Sequence, residues 1–290
     1  MSFIKRNLSR VREIGVLAAP ISISRSFWAG KTALVAIFQM GKVGSSSIQA
    51  SLRRHKDLAS FQFHRFGGSQ AEILVKSPWR LDNVELGTAQ HEIIGLLMRR
   101  RMKELDLPLK VITLVREPIG RNLSAYFQNW DHFKRMRGDH KSRGAEGEIK
   151  HFLAAYDHQI PEKWLAGQFS DYLDVDVFSH EFDKEAGHGR IRSEHADILL
   201  MHHDLEDELK RELISDLVGL QLSPLVRANE AEGKAYAAIY QQVRQPGYLP
   251  VSHVEEMLNS RYTRHFYSLE QRQIFAENWC GAEAMVSLAD

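Results

Sequence analysis

The stretch from Leu34 to Leu52, LVAIFQMGKVGSSSIQASL, constrains the fold more than any other part of the chain. An apolar run rich in Val, Ile and Ala ends at Gln39, a Gly/Lys/Ser turn follows, and helix-compatible residues resume. A buried strand that passes through such a turn into a helix aims backbone N–H groups at an anion. Gly41 and Gly44 permit close backbone approach, and Ser45, Ser46 and Ser47 add hydroxyl donors. Lys42, next to Val43, adds a mobile positive charge. A phosphate or sulfate group is the guest this pattern suits.

Similar strand-then-helix patterns recur along the chain. Ser60–Phe66 alternates as a second strand, and Lys110–Val115 is a short β-branched run that reads as a fully buried strand. Asp174–Phe178 and Asp197–Met201 read as two more. Helices are expected over Gly44–His55, Thr88–Glu104, Pro118–Arg135, Glu148–Ala166 and Asp204–Leu217, and in the tail over Asn229–Val243, Ser252–Asn259 and Ser268–Trp279. Ser77-Pro78-Trp79 reads as a turn and Arg137–Gly147 as an exposed loop. This alternation predicts one doubly wound α/β domain over residues 31–290, a mostly parallel central sheet flanked by helices in three P-loop-like layers.

Residues 1–30 form a basic leader. Lys5, Arg6, Arg10 and Arg12 accompany Phe3, Ile4, Leu8 and Val11 at roughly helical spacing. A terminal helix or frayed tail packed on the domain is the ordinary reading, and peripheral contact with an anionic membrane is the alternative. The longest apolar candidate, Ile14–Ile23, is interrupted by Pro20 and is shorter than the roughly 20 residues a membrane span requires. No cleavable signal is evident. The single cysteine, Cys280, excludes an internal disulfide framework and a cysteine-based zinc cluster and fits a reducing compartment. The expected location is cytoplasmic, at or near the inner face of a membrane. A net charge of +1 gives no argument for nucleic acid.

The strand Lys110–Val115 runs into Arg116-Glu117-Pro118, and Arg121, Ser124 and Gln128 then share one face of the following helix. Two strand exits thus offer a phosphate cradle and a pair of arginines with a hydroxyl. Together they resemble the signature of sulfotransferases that use 3′-phosphoadenosine 5′-phosphosulfate (PAPS), the carbohydrate branch above all. The resemblance implies that Lys42, Gly44, Ser45, Ser46 and Ser47, with Gly41 and Val43 in the same turn, bind the 5′-phosphosulfate. It implies that Arg116 and Ser124 bind the 3′-phosphate, with Arg121 in support. It extends from Ala33 to Asp207, through Val175–Phe178 and Ile198–Leu205. Gly41 stands where the family usually has proline, and Glu117 where it more often has aspartate. No Arg-Lys-Gly segment follows; Arg261 and Arg264 form the nearest basic cluster.

The implied reaction is in-line sulfuryl transfer from PAPS to a hydroxyl of a carbohydrate or glycolipid acceptor, as in capsular polysaccharide, without a metal. Lys42 would neutralise the leaving phosphate. His64, at the exit of the second strand, is the first choice of general base and His91 the competitor. His202-His203-Asp204 invites a metal reading, but adjacent strand residues face opposite ways. Arg53, Arg54, Arg65, Lys76 and Arg80 are candidates to line an acceptor groove, with Trp79 or Trp130 stacking on a sugar. One rival is a P-loop kinase-like phosphotransferase, although Lys42 precedes Gly44 where a Walker A lysine follows its second glycine. The other is a non-catalytic module of the same fold in polysaccharide synthesis.

Overall fold

The computed structural model describes residues 11–43, 45–67, 86–131, 133, 144–225 and 236–289. Five strands form one sheet: β1 (Ala33–Phe38), β2 (Leu58–Phe63), β3 (Leu109–Val115), β4 (His188–Arg192) and β5 (Asp197–His202). Their order is β2-β1-β3-β5-β4. All neighbours are parallel except the β4–β5 pair, which is antiparallel.

All six residues of β1 are buried, because both faces of the sheet are covered. Leu34, Ala36 and Phe38 face one apolar layer, with Val111, Val115, Ile198 and Leu200. Ala33, Val35 and Ile37 face the other, with Ile112, Leu114, Leu199 and Met201. This two-residue period creates a three-layer domain. α3 (Ser46–Leu52) and α8 (Asp207–Val218) cover the second face through Ile48, Leu52, Ile214 and Leu217. α4 (Leu86–Glu104), α7 (Ile160–Leu173) and α11 (Arg261–Phe266) cover the first through Ile94, Met98, Trp164, Phe169, Tyr262 and Phe266. A third apolar cluster joins α5 (Pro118–Gln128), α6 (Gly144–Ala155), α10 (Val251–Leu258) and α12 (Leu269–Cys280) beside the sheet. α9 (Ala237–Val243) closes against α6 through Val243 and Tyr240.

Several expected elements differ in the structure. Val175–Phe178 forms no strand: Asp174 takes a left-handed conformation that ends α7, and Val177–Ser179 is a 3₁₀ turn capped by Asp176. β4 occupies His188–Arg192 instead. The expected helix Glu148–Ala166 is two helices, since the chain turns at residues 156–159 and Pro161 sits in the first turn of α7. α5 ends at Gln128, short of Arg135. α6 begins at Gly144, inside the segment expected as a loop. Residues 137–143, the Ser77–Trp79 turn and the start of the expected Asn229 helix lie outside the described residues.

Of the basic leader, residues 1–10 lie outside the described residues. Next come α1, residues 11–18, and α2 (Arg25–Trp28), which pack on the domain. Leu17 and Trp28 enter the first core layer. The fully buried Arg101 guanidinium donates to the carbonyls of Leu17 and Ala19, closing the end of α1. Among the described residues no helix is long and apolar enough to cross a membrane.

Candidate functional site

The chain leaves β1 for β2 on one side, then crosses to β3 on the other. The loops after β1 and β3 therefore flank a topological switch point, where open α/β sheets bind ligands. The two sequence motifs meet there. Arg116, the residue after β3, donates from Nη1 to the Lys42 carbonyl at 3.0 Å. Arg121 donates from Nε to the Gly41 carbonyl at 3.3 Å. Lys42 Nζ reaches Gln128 Oε1 at 3.4 Å, on the same α5 face.

Two consequences follow for the turn. The peptide unit is planar with C=O and N–H opposed, so the Lys42 and Val43 N–H groups point away from the arginines. Lys42 itself adopts φ 75°, a left-handed conformation uncommon for a side-chain-bearing residue and often found at functional sites. Val43 is fully buried in the second core layer and anchors the turn.

The expected site residues divide by role. The buried Ser45 turns its hydroxyl inward, where it accepts from the side-chain amides of Gln39 and Gln62, the latter at 2.6 Å. Ser46 and Ser47 occupy the first turn of α3, half-buried, whereas Gly44 lies outside the described residues. Arg121 is buried and also donates from Nη1 to Asn122 Oδ1 and to the Tyr156 hydroxyl, each at 3.0 Å. It clamps the turn rather than presenting its guanidinium to solvent. Ser124 is half-buried on α5.

His64 follows β2 directly, and its Nδ1 lies 2.8 Å from the Gln39 carbonyl. A carbonyl can only accept, so Nδ1 carries the proton and Nε2 is the basic nitrogen. Nε2 stands 3.9 Å from the position a Cβ would take on Gly41. The His64 ring stacks on His91, 3.9 Å between centroids, so the two candidate bases form one unit. Trp164 Nε1 donates to the His64 carbonyl at 2.7 Å and holds the backbone there.

A cavity of about 410 Å³ opens beside Arg116, lined by Glu117, His203, Arg244, Tyr267 and Trp279 among others. Glu117 caps α5 by accepting from the Ile119 and Gly120 amides at 2.9 and 2.6 Å. Burial raises its pKa, against the pull of the Arg116 guanidinium and those amides. Burial, with Arg116 adding repulsion, pushes His203 down to about 4. The buried Tyr262 hydroxyl donates to the Arg116 carbonyl at 3.1 Å and accepts from its N–H at 3.3 Å. Local pattern gave no sign of Arg244, Tyr262 or Trp279, which arrive from tail helices packed across the sheet edge.

The remaining candidates are placed elsewhere. Trp130 is buried in the helical cluster, against Phe127 and Tyr236, so it offers no sugar-stacking face. Arg53 pairs with Glu13 of α1. Arg54 and Arg65 are exposed, while Lys76, Trp79 and Arg80 lie outside the described residues. Arg261 stacks over Phe178 at 4.4 Å and pairs with Asp176 at 3.6 Å. His202 and His203 do face opposite ways. His202 bonds the Phe266 carbonyl at 2.8 Å, while His203 lines the cavity.

These histidines predict an acid transition. Burial lowers His202, His158 and His265 and drives His203 and His253 to about 4. Each then binds its proton better in the unfolded chain, where the pKa is near 6.5, so stability is lost as pH falls from about 6.5 through about 4. Urea midpoints should decline over that window, and His253→Gln should flatten the decline. A pH-independent midpoint between 6.5 and 4 would contradict the burial of these rings.

No curated protein and no solved structure matches the chain. Residues 152–268, less than half of the chain, match the family NKWYS, described as "Putative capsular polysaccharide synthesis protein". The match begins at the end of α6, takes in β4 and β5 and stops after α11, beyond both loops of the switch point. Over that segment the chain is similar to proteins whose description places them in capsular polysaccharide synthesis.

Proposed function

We propose that the protein transfers a sulfuryl group from PAPS to a hydroxyl of a glycan acceptor in polysaccharide synthesis. One observation carries this reading: Arg116 and Arg121 from one strand exit donate to the carbonyls of the Gly/Lys/Ser turn of the other, so the two motifs meet in one crevice at the switch point. The resemblance of those motifs to PAPS-dependent enzymes supports the donor, and the family description supports the setting.

In this reading Lys42 neutralises the phosphate that leaves. Arg116 and Arg244, both on the cavity, suit a second phosphate, and Tyr267 and Trp279 contribute apolar wall to the same cavity. In the transfer the acceptor oxygen attacks sulfur, the bond from sulfur to the bridging phosphate oxygen breaks, and the acceptor proton passes to His64 Nε2. Charge on the departing 3′-phosphoadenosine 5′-phosphate is balanced by Lys42 and Arg116. Such in-line transfers draw their acceleration from positioning and preorganised charge.

Calorimetry with 3′-phosphoadenosine 5′-phosphate, without magnesium, is the direct test. Arg116→Ala should weaken its binding by about 1.5–3 kcal/mol, the range for a hydrogen bond to a charged group. Unchanged affinity, or binding of magnesium-ATP alone, would overturn the donor assignment. A non-catalytic module is the second reading, favoured because the family match lies outside both cofactor loops. Tight nucleotide binding with no labelled sulfate passed to any glycan would select it.

A further inference from the structure

We infer that a separate pocket between α7, α10 and α11 binds a neutral sugar unit of the glycan. This cavity, about 250 Å³, is smaller than drug-sized sites and suits a ring-sized group. Its polar lining residues include Glu162, Glu256 and Gln159, with Glu162 also accepting from the Tyr262 N–H at 3.4 Å, while Pro161 and Met257 are among the apolar ones. Carboxylates accept hydrogen bonds from sugar hydroxyls, an amide both donates and accepts, and the apolar residues can meet the C–H face of a ring.

The charge pattern separates this pocket from the crevice. Among the described residues no lysine or arginine lines it. Burial lowers the pKa of His158, also on its wall, which packs edge-on against Phe152 at 4.7 Å and against His253 at 4.5 Å. The pocket therefore disfavours the anions that the crevice favours, and a polyhydroxyl ligand satisfies its acceptors without adding negative charge.

Its position in the sequence points the same way. Apart from Pro118, every residue that lines it falls within 152–268, the segment that matches the capsular polysaccharide family. The donor turn lies outside that segment. The pocket is also fixed to the crevice: Tyr262 lines it while holding both backbone groups of Arg116, and Pro118 follows Arg116 by two residues. A role as acceptor subsite rests on the transfer reading above, whereas sugar binding does not.

The test is saturation-transfer NMR on the full chain, with no nucleotide present, using lactose, cellobiose and N,N′-diacetylchitobiose as probes. At least one should receive saturation on its ring protons. Glu256→Ala, at an exposed position, should weaken that binding at least tenfold while leaving affinity for 3′-phosphoadenosine 5′-phosphate unchanged. The more conservative Glu256→Gln should weaken it less. No saturation for any probe, or equal binding by Glu256→Ala, overturns the inference. Nucleotide binding without sugar binding defeats this pocket alone; sugar binding without nucleotide binding defeats the donor reading alone.

Discussion

Lys42→Ala is expected to slow the proposed sulfuryl transfer by about 10²–10³-fold, the loss seen when one preorganised stabiliser of a developing charge is removed. The fold should tolerate the change. Lys42 is only half-buried, and its neighbours Val43 and Ser45 anchor the turn through the core and through Gln39 and Gln62. Alanine inherits the left-handed backbone at φ 75° without relief, because the strain belongs to any Cβ. Lys42→Gly removes that strain and should stabilise the protein by about 1 kcal/mol while losing transfer to the same degree. Single-turnover assays with labelled PAPS, paired with thermal denaturation, separate the two effects. A Lys42→Ala variant with undiminished turnover would remove Lys42 from the proposed chemistry.

Gly95→Ala should destabilise the protein by about 1–3 kcal/mol, the cost of overpacking a filled core. The usual helix preference runs the other way, favouring alanine over glycine by about 1 kcal/mol. Here α4 crosses so close to the exit of β2 that a Cβ on Gly95 would stand 1.7 Å from the Arg65 carbonyl oxygen. Backbone cannot swing aside as a flexible side chain can, so helix or strand exit must move. Gly167 in α7 is the matched control, since the nearest atom to its added Cβ is Asp171 Oδ2 at 4.0 Å. Gly167→Ala should be neutral or stabilising by up to about 1 kcal/mol. Urea titration of both variants checks the opposite signs. The contact also sets His91 of α4 over His64, so Gly95→Ala should disturb that stacked pair.

The parts of the fold legible in the sequence are those whose information is local. β1, β3 and β5 carry continuous apolar runs because both their faces are covered, and such runs survive without knowledge of neighbours. The turn at Gly41–Ser47 and the Arg116-Glu117-Pro118 helix start are equally local. β4 was not legible: HGRIR has no apolar alternation, and it becomes a strand by pairing with β5 at the sheet edge. Val175–Phe178 has strand-like composition but follows a left-handed Asp174, and that backbone turn decides its course. Within the site, the inward rotation of Ser45 depends on Gln62 in the next strand, and Tyr262 reaches Arg116 across 146 residues. Composition at one position cannot encode such contacts.

The strand order also bears on how the domain divides. β5 is an interior strand: it pairs with β3 on one side and β4 on the other, and five of its six residues are buried. The segment 152–268 holds β4 and β5 but not β3. Cut free, it would present the whole β3-facing edge of β5 as an unpaired apolar template, the kind of edge that recruits other chains. It is half of a folding unit. A protein that keeps only this segment must supply an equivalent of β3 from other sequence, however different that sequence has become.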